Sequence, residues 1–240
     1  MSNTPCKKKC PEGGIDARFS IGPRKKVFFS KGNLQYQPST GLWRFAERQY
    51  EFLGVDSDKI KSKRKGWMDM FGWGTGDNPT LNGDFGDYVE FNDWGKNSIS
   101  NGGDEPGLWR TLDIEEWGYL LYERKTKSGI SFAKAKVNNV DGLILLPDTW
   151  KEETFDFDNV NDKGGHFEDN NISKPQWEAL EKEGAVFLPV VESEAGNSVH
   201  EYWSSSGIPE YGWSIVIFSD IFEQDLEPFF GVFVRLVSAK

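Results

Sequence analysis

The residues of this chain that could act as nucleophiles or general bases are few and lie far apart. Both cysteines, Cys6 and Cys10, belong to a polar N-terminal stretch, and the two histidines, His166 and His200, are distant from them in sequence. A nucleophile needs a base within hydrogen-bond reach, and a structural metal site needs about four ligands. The sequence therefore predicts a protein that is not an enzyme and holds no cofactor or metal, with a local disulfide or two free thiols at the cysteines.

One acidic segment has part of the pattern of a calcium loop. The stretch from Asp156 to Asp162 carries aspartate at the first and third positions, but Val160 stands at the fifth and no glycine at the sixth. Calcium loops of this type need an oxygen ligand at the fifth position and a sharp turn at the sixth. A solvated acidic loop is the better prediction, and a bound calcium ion is the alternative.

The overall charge bears on the choice of partner. With 38 acidic and 28 basic residues the net charge is −10, which opposes a phosphate backbone. The basic run from Lys59 to Lys65 reads as a solvated loop. No stretch approaches the roughly 20 apolar residues that a membrane span needs. The sequence therefore predicts neither a nucleic-acid partner nor a membrane span.

Short strands and two amphipathic helices are the elements that would position any site. Alternation of apolar and polar residues predicts three early strands, at 26–30, 33–37 and 42–46. Later apolar runs bounded by glycine and proline predict buried strands at 142–147 and 185–189. The final strands are predicted at 201–204, 212–218 and 231–237. Asp113 with Glu116, and Ser173 with Gln176, have the spacing of capping boxes that begin helices, and Gly184 is a stop signal for the second helix.

This order of elements predicts an α+β fold, with short antiparallel strands, two flanking helices and a long irregular loop region. Residues 1–18 are interpreted as a flexible leader and residues 19–240 as one domain. The irregular region, 67–107, is rich in Gly, Asn and Asp with interleaved aromatic residues. Its rings at Trp67, Phe71, Trp73 and Trp94 are predicted to be packing anchors, with stacking on a ligand as the alternative.

Several of these segments, in this order, resemble one bacterial family. WRTLDIEEWGYL, NNVDGLILLPDTW, GAVFLP, EYWSSS and GVFVRLV follow each other in the chain. They are similar to C-type-lectin-like domains of surface proteins of gut Bacteroidetes and of the variable proteins of diversity-generating retroelements. The resemblance covers roughly residues 25–237 and implies a C-type lectin-like fold in which the first and last strands pair. The same superfold includes formylglycine-generating oxidases, whose chemistry needs reactive cysteines that residues 19–240 lack.

The resemblance also implies where a ligand would bind. Carried onto this chain, the variable positions fall between EYWSSS and VRLV, and the implied ligand-binding residues are Gly207, Ile208, Tyr211, Trp213, Ile215, Ser219, Asp220, Ile221, Phe222, Asp225, Leu226, Phe229 and Phe230. For the last two, burial under the final strand is an equal alternative. Retroelements randomise adenines, typically of Asn codons, which cannot give Glu or Gln; residues such as Glu210 and Glu223 are therefore outside that scheme.

The function that these observations predict is capture of a protein or glycan ligand by a non-catalytic module, extracellular or at a cell surface, or on a phage virion. The sequence itself shows no export signal. One alternative is a fixed glycan-binding lectin whose Trp73 and Trp94 stack on sugar rings. Glu105-Pro106-Gly107 departs from the calcium-binding triplets of such lectins, because glycine removes the third ligand. A structural subunit of a surface fibre or phage tail is a further alternative.

Overall fold

The structure, a computed structural model, describes residues 9–53, 66–77, 79, 90–151, 155–191, 199–228 and 230–240. Three of the features named above, Cys6, the basic run 59–65 and Phe229, lie outside these residues.

The described chain is built mainly from short strands. The strands are β1 (Phe19–Gly22), β2 (Lys25–Phe29), β3 (Leu34–Gln37), β4 (Leu42–Phe45), β5 (Met70–Phe71), β6 (Phe132–Val137), β7 (Val140–Leu145), β8 (Asn171–Ile172), β9 (Val186–Pro189), β10 (Glu201–Ile208), β11 (Tyr211–Ile217), β12 (Ile221–Leu226), β13 (Val232–Phe233) and β14 (Val237–Ser238). The α-helices are α1 (Ile114–Gly118) and α2 (Lys174–Lys182), and α1 continues as a π-helical turn over Tyr119–Glu123.

These strands form four sheets. Their orders are β1-β2-β14, β12-β11-β10-β13-β5, β3-β4 and β8-β6-β7-β9. Near the end of the chain, β14 pairs antiparallel with β2, and a single bridge between Arg110 and Val237 ties it to the segment before α1. The five-stranded sheet ends in the antiparallel strands β10, β11 and β12, which follow each other directly in sequence.

The prediction of an α+β fold with two flanking helices is wrong, because the described chain is mostly β and its helices are short. The first helix, which begins at the Asp113 cap, is α-helical only to Gly118. Strands β6 and β12 were not expected, because charged residues interrupt their apolar patterns. The expected strand 231–237 is two separate short strands, β13 and β14. The structure does not identify the fold with a known one.

Both predicted helix starts are confirmed. The backbone N of Glu116 donates to Oδ1 of Asp113 over 2.7 Å, and the backbone N of Ser173 donates to Oε1 of Gln176 over 2.9 Å. Such caps satisfy backbone N–H groups that lack a partner inside the helix. Gly184 follows α2 with φ of +92°, as a C-terminal stop requires.

Aromatic rings make up much of the core. Phe71, Trp73 and Trp94 are buried in one hydrophobic cluster with Trp203, which confirms the prediction that they anchor the irregular region. Trp67 is partly buried, and the guanidinium carbon of Arg44 lies 3.8 Å from its ring centroid. A second cluster lies between α1 and the strands of the five-stranded sheet, which we call the outer sheet, and a third lies between α2 and β6, β7 and β9.

Part of the segment interpreted as a leader lies against the first hairpin. Ile15 and Ala17 are buried, and the backbone N of Ile15 donates to the carbonyl of Phe29 over 2.9 Å. Gly13 and Lys31 are joined by a further backbone hydrogen bond. Residues 13–17 therefore pack with the domain.

Candidate functional site

The β10–β11 hairpin carries three large exposed side chains of the predicted ligand-binding set. Its turn is Pro209-Glu210, because Ile208 of β10 pairs with Tyr211 of β11. On the other side of β11, Trp213 pairs with Asp225 of β12. Paired residues in an antiparallel sheet share a face, and residues two apart on a strand do as well. Ile208, Tyr211, Trp213 and Asp225 therefore form one surface, which we call the hairpin patch.

The apolar members of the hairpin patch are exposed together. The exposed fractions are 55% for Ile208, 42% for Tyr211 and 39% for Trp213. Ile215 and Ile217 follow on the same face of β11, yet both are 0% exposed, because they pack in the cluster that includes Trp117 and Leu120. The hairpin patch thus begins where the cover provided by α1 and its π-helical turn ends.

A tryptophan supports the hairpin from the opposite face. Gly207 and Gly212 pair across the two strands, and a Cβ atom at either one would lie within 2.5 Å of Trp73. Nε1 of Trp73 donates to the carbonyl of Ser204 over 3.0 Å, and Nε1 of Trp203 donates to the carbonyl of Phe71 over 2.6 Å. Flat packing of Trp73 against two glycines fixes the hairpin on the sheet.

The structure separates the other predicted ligand-binding residues from this patch. Ile215 and Ile221 are buried in the core, and Leu226 packs partly against the Trp73 cluster. Phe222 is 44% exposed but pairs with Val216 on the opposite face of the sheet. The exposed residues Ser219 and Asp220 lie in the β11–β12 turn, at the far end of the hairpin.

The two remaining predicted aromatic residues are adjacent in sequence. Phe230 is 47% exposed and its backbone N donates to the carbonyl of Glu227. Phe229 lies outside the described residues. The predicted set is therefore not one surface; Ile208, Tyr211, Trp213 and Asp225 are brought together, with Gly207 beneath them.

A cleft of about 490 Å³ lies on the same side of the sheet, between the β1–β2 turn, α1 with its π-helical turn, and β12. Glu223 contributes to it from β12, two residues from Asp225 and on the same face of the strand. Tyr119, Tyr122 and Glu123 contribute from the π-helical turn. Burial, with the nearby carboxylates of Glu223 and Asp220, raises the pKa of Tyr122 to about 12.

The sequence interpretation missed this cleft. Glu223 falls outside the retroelement scheme, and the capping box at Asp113 predicts where the helix begins but not that its second turn is π-helical. A π-helical turn inside a helix is frequent at functional sites, but the sequence gives no simple signal for it. The close approach of Gly118 to Glu223, where a Cβ would lie 3.2 Å from Oε1, depends on the tertiary fold.

Two of the residues first considered for chemistry, His200 and Cys10, lie in the part of the chain that the structure describes, and each has a structural environment. The His200 ring packs on Phe218, with centroids 4.4 Å apart, and the backbone N of His200 donates to Glu201. Burial raises the pKa of the Cys10 thiol to about 11, so this sulfur is a poor nucleophile. Within the described ranges, no three His, Cys, Asp or Glu side chains cluster as metal ligands.

Comparison of the chain with protein-family models, with curated proteins and with solved structures gives no match. The resemblance to C-type-lectin-like domains therefore stays a prediction from the sequence. In the described part of the chain, no helix has the length and apolar character needed to cross a membrane.

Proposed function

We propose that this protein is a non-catalytic ligand-binding module that captures a protein or glycan on the hairpin patch. The observation that carries the proposal is the joint exposure of Ile208, Tyr211 and Trp213 on one face of a hairpin that Trp73 holds from behind. Clustered exposed apolar side chains mark interaction sites more often than scattered ones do. A ligand on another cell or on a host would require the module to act at a cell surface or outside the cell.

The types of side chain in the hairpin patch favour a role in binding over a role in catalysis. Tryptophan and tyrosine are enriched among the residues that dominate interface energies, because each buries a large area with little loss of conformational entropy. The hairpin is already ordered by its backbone pairing and by the Trp73 contact. Binding therefore needs little ordering of the site, which lowers the entropic cost of association.

The resemblance to retroelement variable proteins, which is a prediction from the sequence, points to the same surface. Exchange of Ile208, Tyr211 or Asp225 would change the hairpin patch without altering a fully buried side chain. Exchange of Ile215 or Ile221 would instead alter the core. Any diversification of this chain would thus be tolerated at the turn end of the hairpin first.

A screen with matched variants tests the proposal. The wild-type chain is applied to a glycan array and to a peptide array, and the binders are measured again with Trp213→Ser and with Leu42→Ser. Leu42 is the control because it is 49% exposed on β4, outside the outer sheet. We expect Trp213→Ser to weaken binding at least about tenfold, which corresponds to roughly 1.4 kcal/mol, and Leu42→Ser to leave it unchanged. Binders that do not distinguish the two variants would contradict the proposal.

The glycan alternative that used Trp73 and Trp94 has no support. These rings are 3% and 0% exposed, so neither has a face available for a sugar. A glycan ligand would have to use Tyr211 and Trp213 instead, and the two arrays distinguish that case from a protein ligand.

A further inference from the structure

We infer that the ligand of the hairpin patch is a polypeptide segment that carries lysine or arginine next to an apolar side chain. This inference rests on the proposed function and names the chemistry of the partner. Its basis is the charge of β10, β11 and β12 and of the turns that join them. Residues 201–228 contain no lysine or arginine and six carboxylates, at Glu201, Glu210, Asp220, Glu223, Asp225 and Glu227.

Three of these carboxylates, Glu210, Asp225 and Glu223, lie beside the apolar anchors or continue their face. Glu210 lies in the turn between Ile208 and Tyr211, and Asp225 pairs directly with Trp213. Glu223 continues the same face of β12 toward the cleft. An apolar centre with an acidic rim is complementary to a partner with an apolar anchor and a basic rim, and such complementarity sets specificity and the rate of encounter.

The cleft offers a place for the end of a basic side chain. Its walls include the carboxylates of Glu115, Glu123 and Glu223 and the rings of Tyr119 and Tyr122. Among the residues that the structure describes, no lysine or arginine forms an ion pair with these three carboxylates. Carboxylates accept charge-assisted hydrogen bonds from guanidinium or ammonium groups, and tyrosine faces attract the same cations.

The Tyr122 ring already takes part in such a contact. Nζ of Lys163 lies 3.6 Å from its centroid. On the other wall, Lys25 pairs with Glu116, which also binds Arg110. Of these cations only Lys25 lines the cleft, and its ion pair is with Glu116, so the carboxylates of Glu115, Glu123 and Glu223 remain available to a partner.

A neutral glycan fits this surface less well than a basic peptide. Docking on Trp213 would bring the ligand over Asp225 and toward Glu223, and desolvation of carboxylates without a counter-charge is costly. Acidic glycans and nucleic acids would be repelled by the same groups. A basic peptide offsets the desolvation with ion pairs while its apolar residue contacts the anchors.

A peptide array in which net charge and aromatic content vary independently tests this inference. The best binder is then measured by fluorescence anisotropy at about 0.15 M salt and at higher salt, together with a version in which glutamate replaces each basic residue. We expect basic peptides to dominate the array, the glutamate version to bind at least about tenfold more weakly, and the affinity to fall as salt rises.

Two triple variants of equal net charge distinguish attraction of the peptide by the carboxylates near the hairpin patch from attraction by the overall negative charge of the protein. One is Glu210→Gln, Glu223→Gln and Asp225→Asn. The other is Glu47→Gln, Glu178→Gln and Glu183→Gln, at exposed positions outside the outer sheet. The first should weaken binding of the basic peptide at least about tenfold, and the second by much less.

The possible failures can be told apart. Equal losses in the two triple variants, equal binding of the basic and glutamate peptides, or no binding of any basic peptide would overturn the inference. If the wild type binds a neutral glycan and Trp213→Ser does not, the inference of a basic peptide ligand is overturned but the proposed function stands. If Trp213→Ser binds the basic peptide as tightly as the wild type does, the proposed function itself is refuted.

Discussion

The substitution Gly212→Ala tests whether Trp73 fixes the hairpin. A Cβ at this position would lie 2.4 Å from two atoms of the Trp73 ring and 2.9 Å from Trp203. Both rings are at most 3% exposed, so neither can turn away into solvent. The strand must lift or the rings must shift, and either movement strains the hydrogen bond from Trp73 to Ser204.

The expected loss of stability follows from three contributions. Overpacking of a rigid core site costs about 1–3 kcal/mol, and loss of one buried hydrogen bond costs about 1 kcal/mol more. Replacement of glycine by alanine recovers roughly 0.5–1 kcal/mol through the unfolded chain. The free energy of unfolding should therefore fall by about 2 kcal/mol, which corresponds to roughly 4–8 °C in the midpoint for a chain of this size.

Thermal and urea unfolding, followed by tryptophan fluorescence, measure this loss. Gly164→Ala is the matched control, because Gly164 is exposed and its nearest neighbour would be 3.6 Å from a new Cβ. In a Trp73→Leu background the cost of Gly212→Ala should shrink, since the ring that it strikes is gone. An unchanged midpoint for Gly212→Ala would refute the account of how the hairpin is held.

Two further substitutions test buried polar contacts. Asp148 is desolvated, which raises its pKa, but hydrogen bonds from Lys26 and Ser20 outweigh this and leave the pKa below its usual value. The ionised form thus stabilises the fold above the ordinary pKa near 3.8, and this contribution is lost as pH falls through the lower pKa of the folded state. Asp148→Asn should therefore lower the free energy of unfolding at pH 7 and flatten the acid limb of a pH-dependent unfolding series; an unchanged acid limb would show that this carboxylate does not contribute. Tyr202→Phe should cost about 1–3 kcal/mol in urea unfolding, because the fully buried hydroxyl donates to the carbonyl of Pro189 over 2.9 Å; a wild-type midpoint would show that this hydrogen bond is energetically neutral.

Local signals in the sequence were sufficient for the helix starts and the buried rings. Capping boxes depend on residues three apart, so Asp113 and Ser173 could be recognised without knowledge of the fold. The rings at Phe71, Trp73 and Trp94 were expected to be buried because large aromatic side chains stabilise long irregular segments from within. The caps depend on short-range chemistry, and the burial of the rings on their apolar character, although which partners bury Trp73 depends on the tertiary fold.

The fold class and the composition of the site depended on tertiary information. β12 is an edge strand, whose solvent-facing positions tolerate Glu223 and Asp225, so its charges concealed a strand. Trp213 and Ile215 occupy the same face of β11, yet one is exposed and the other buried. The difference arises from how far α1 and its π-helical turn extend over the sheet, and no local pattern in β11 carries that information.

Hydroxyl-radical footprinting of the complex tests the central claim most directly, because it reads the solvent exposure of individual side chains. The chain is labelled alone and with its best binder from the arrays. We predict that oxidation of Tyr211 and Trp213 falls on binding, while oxidation of Phe222, on the opposite face of the sheet, stays the same. Protection of Phe222 with unchanged oxidation of Tyr211 and Trp213 would contradict the assignment of the hairpin patch as the binding surface.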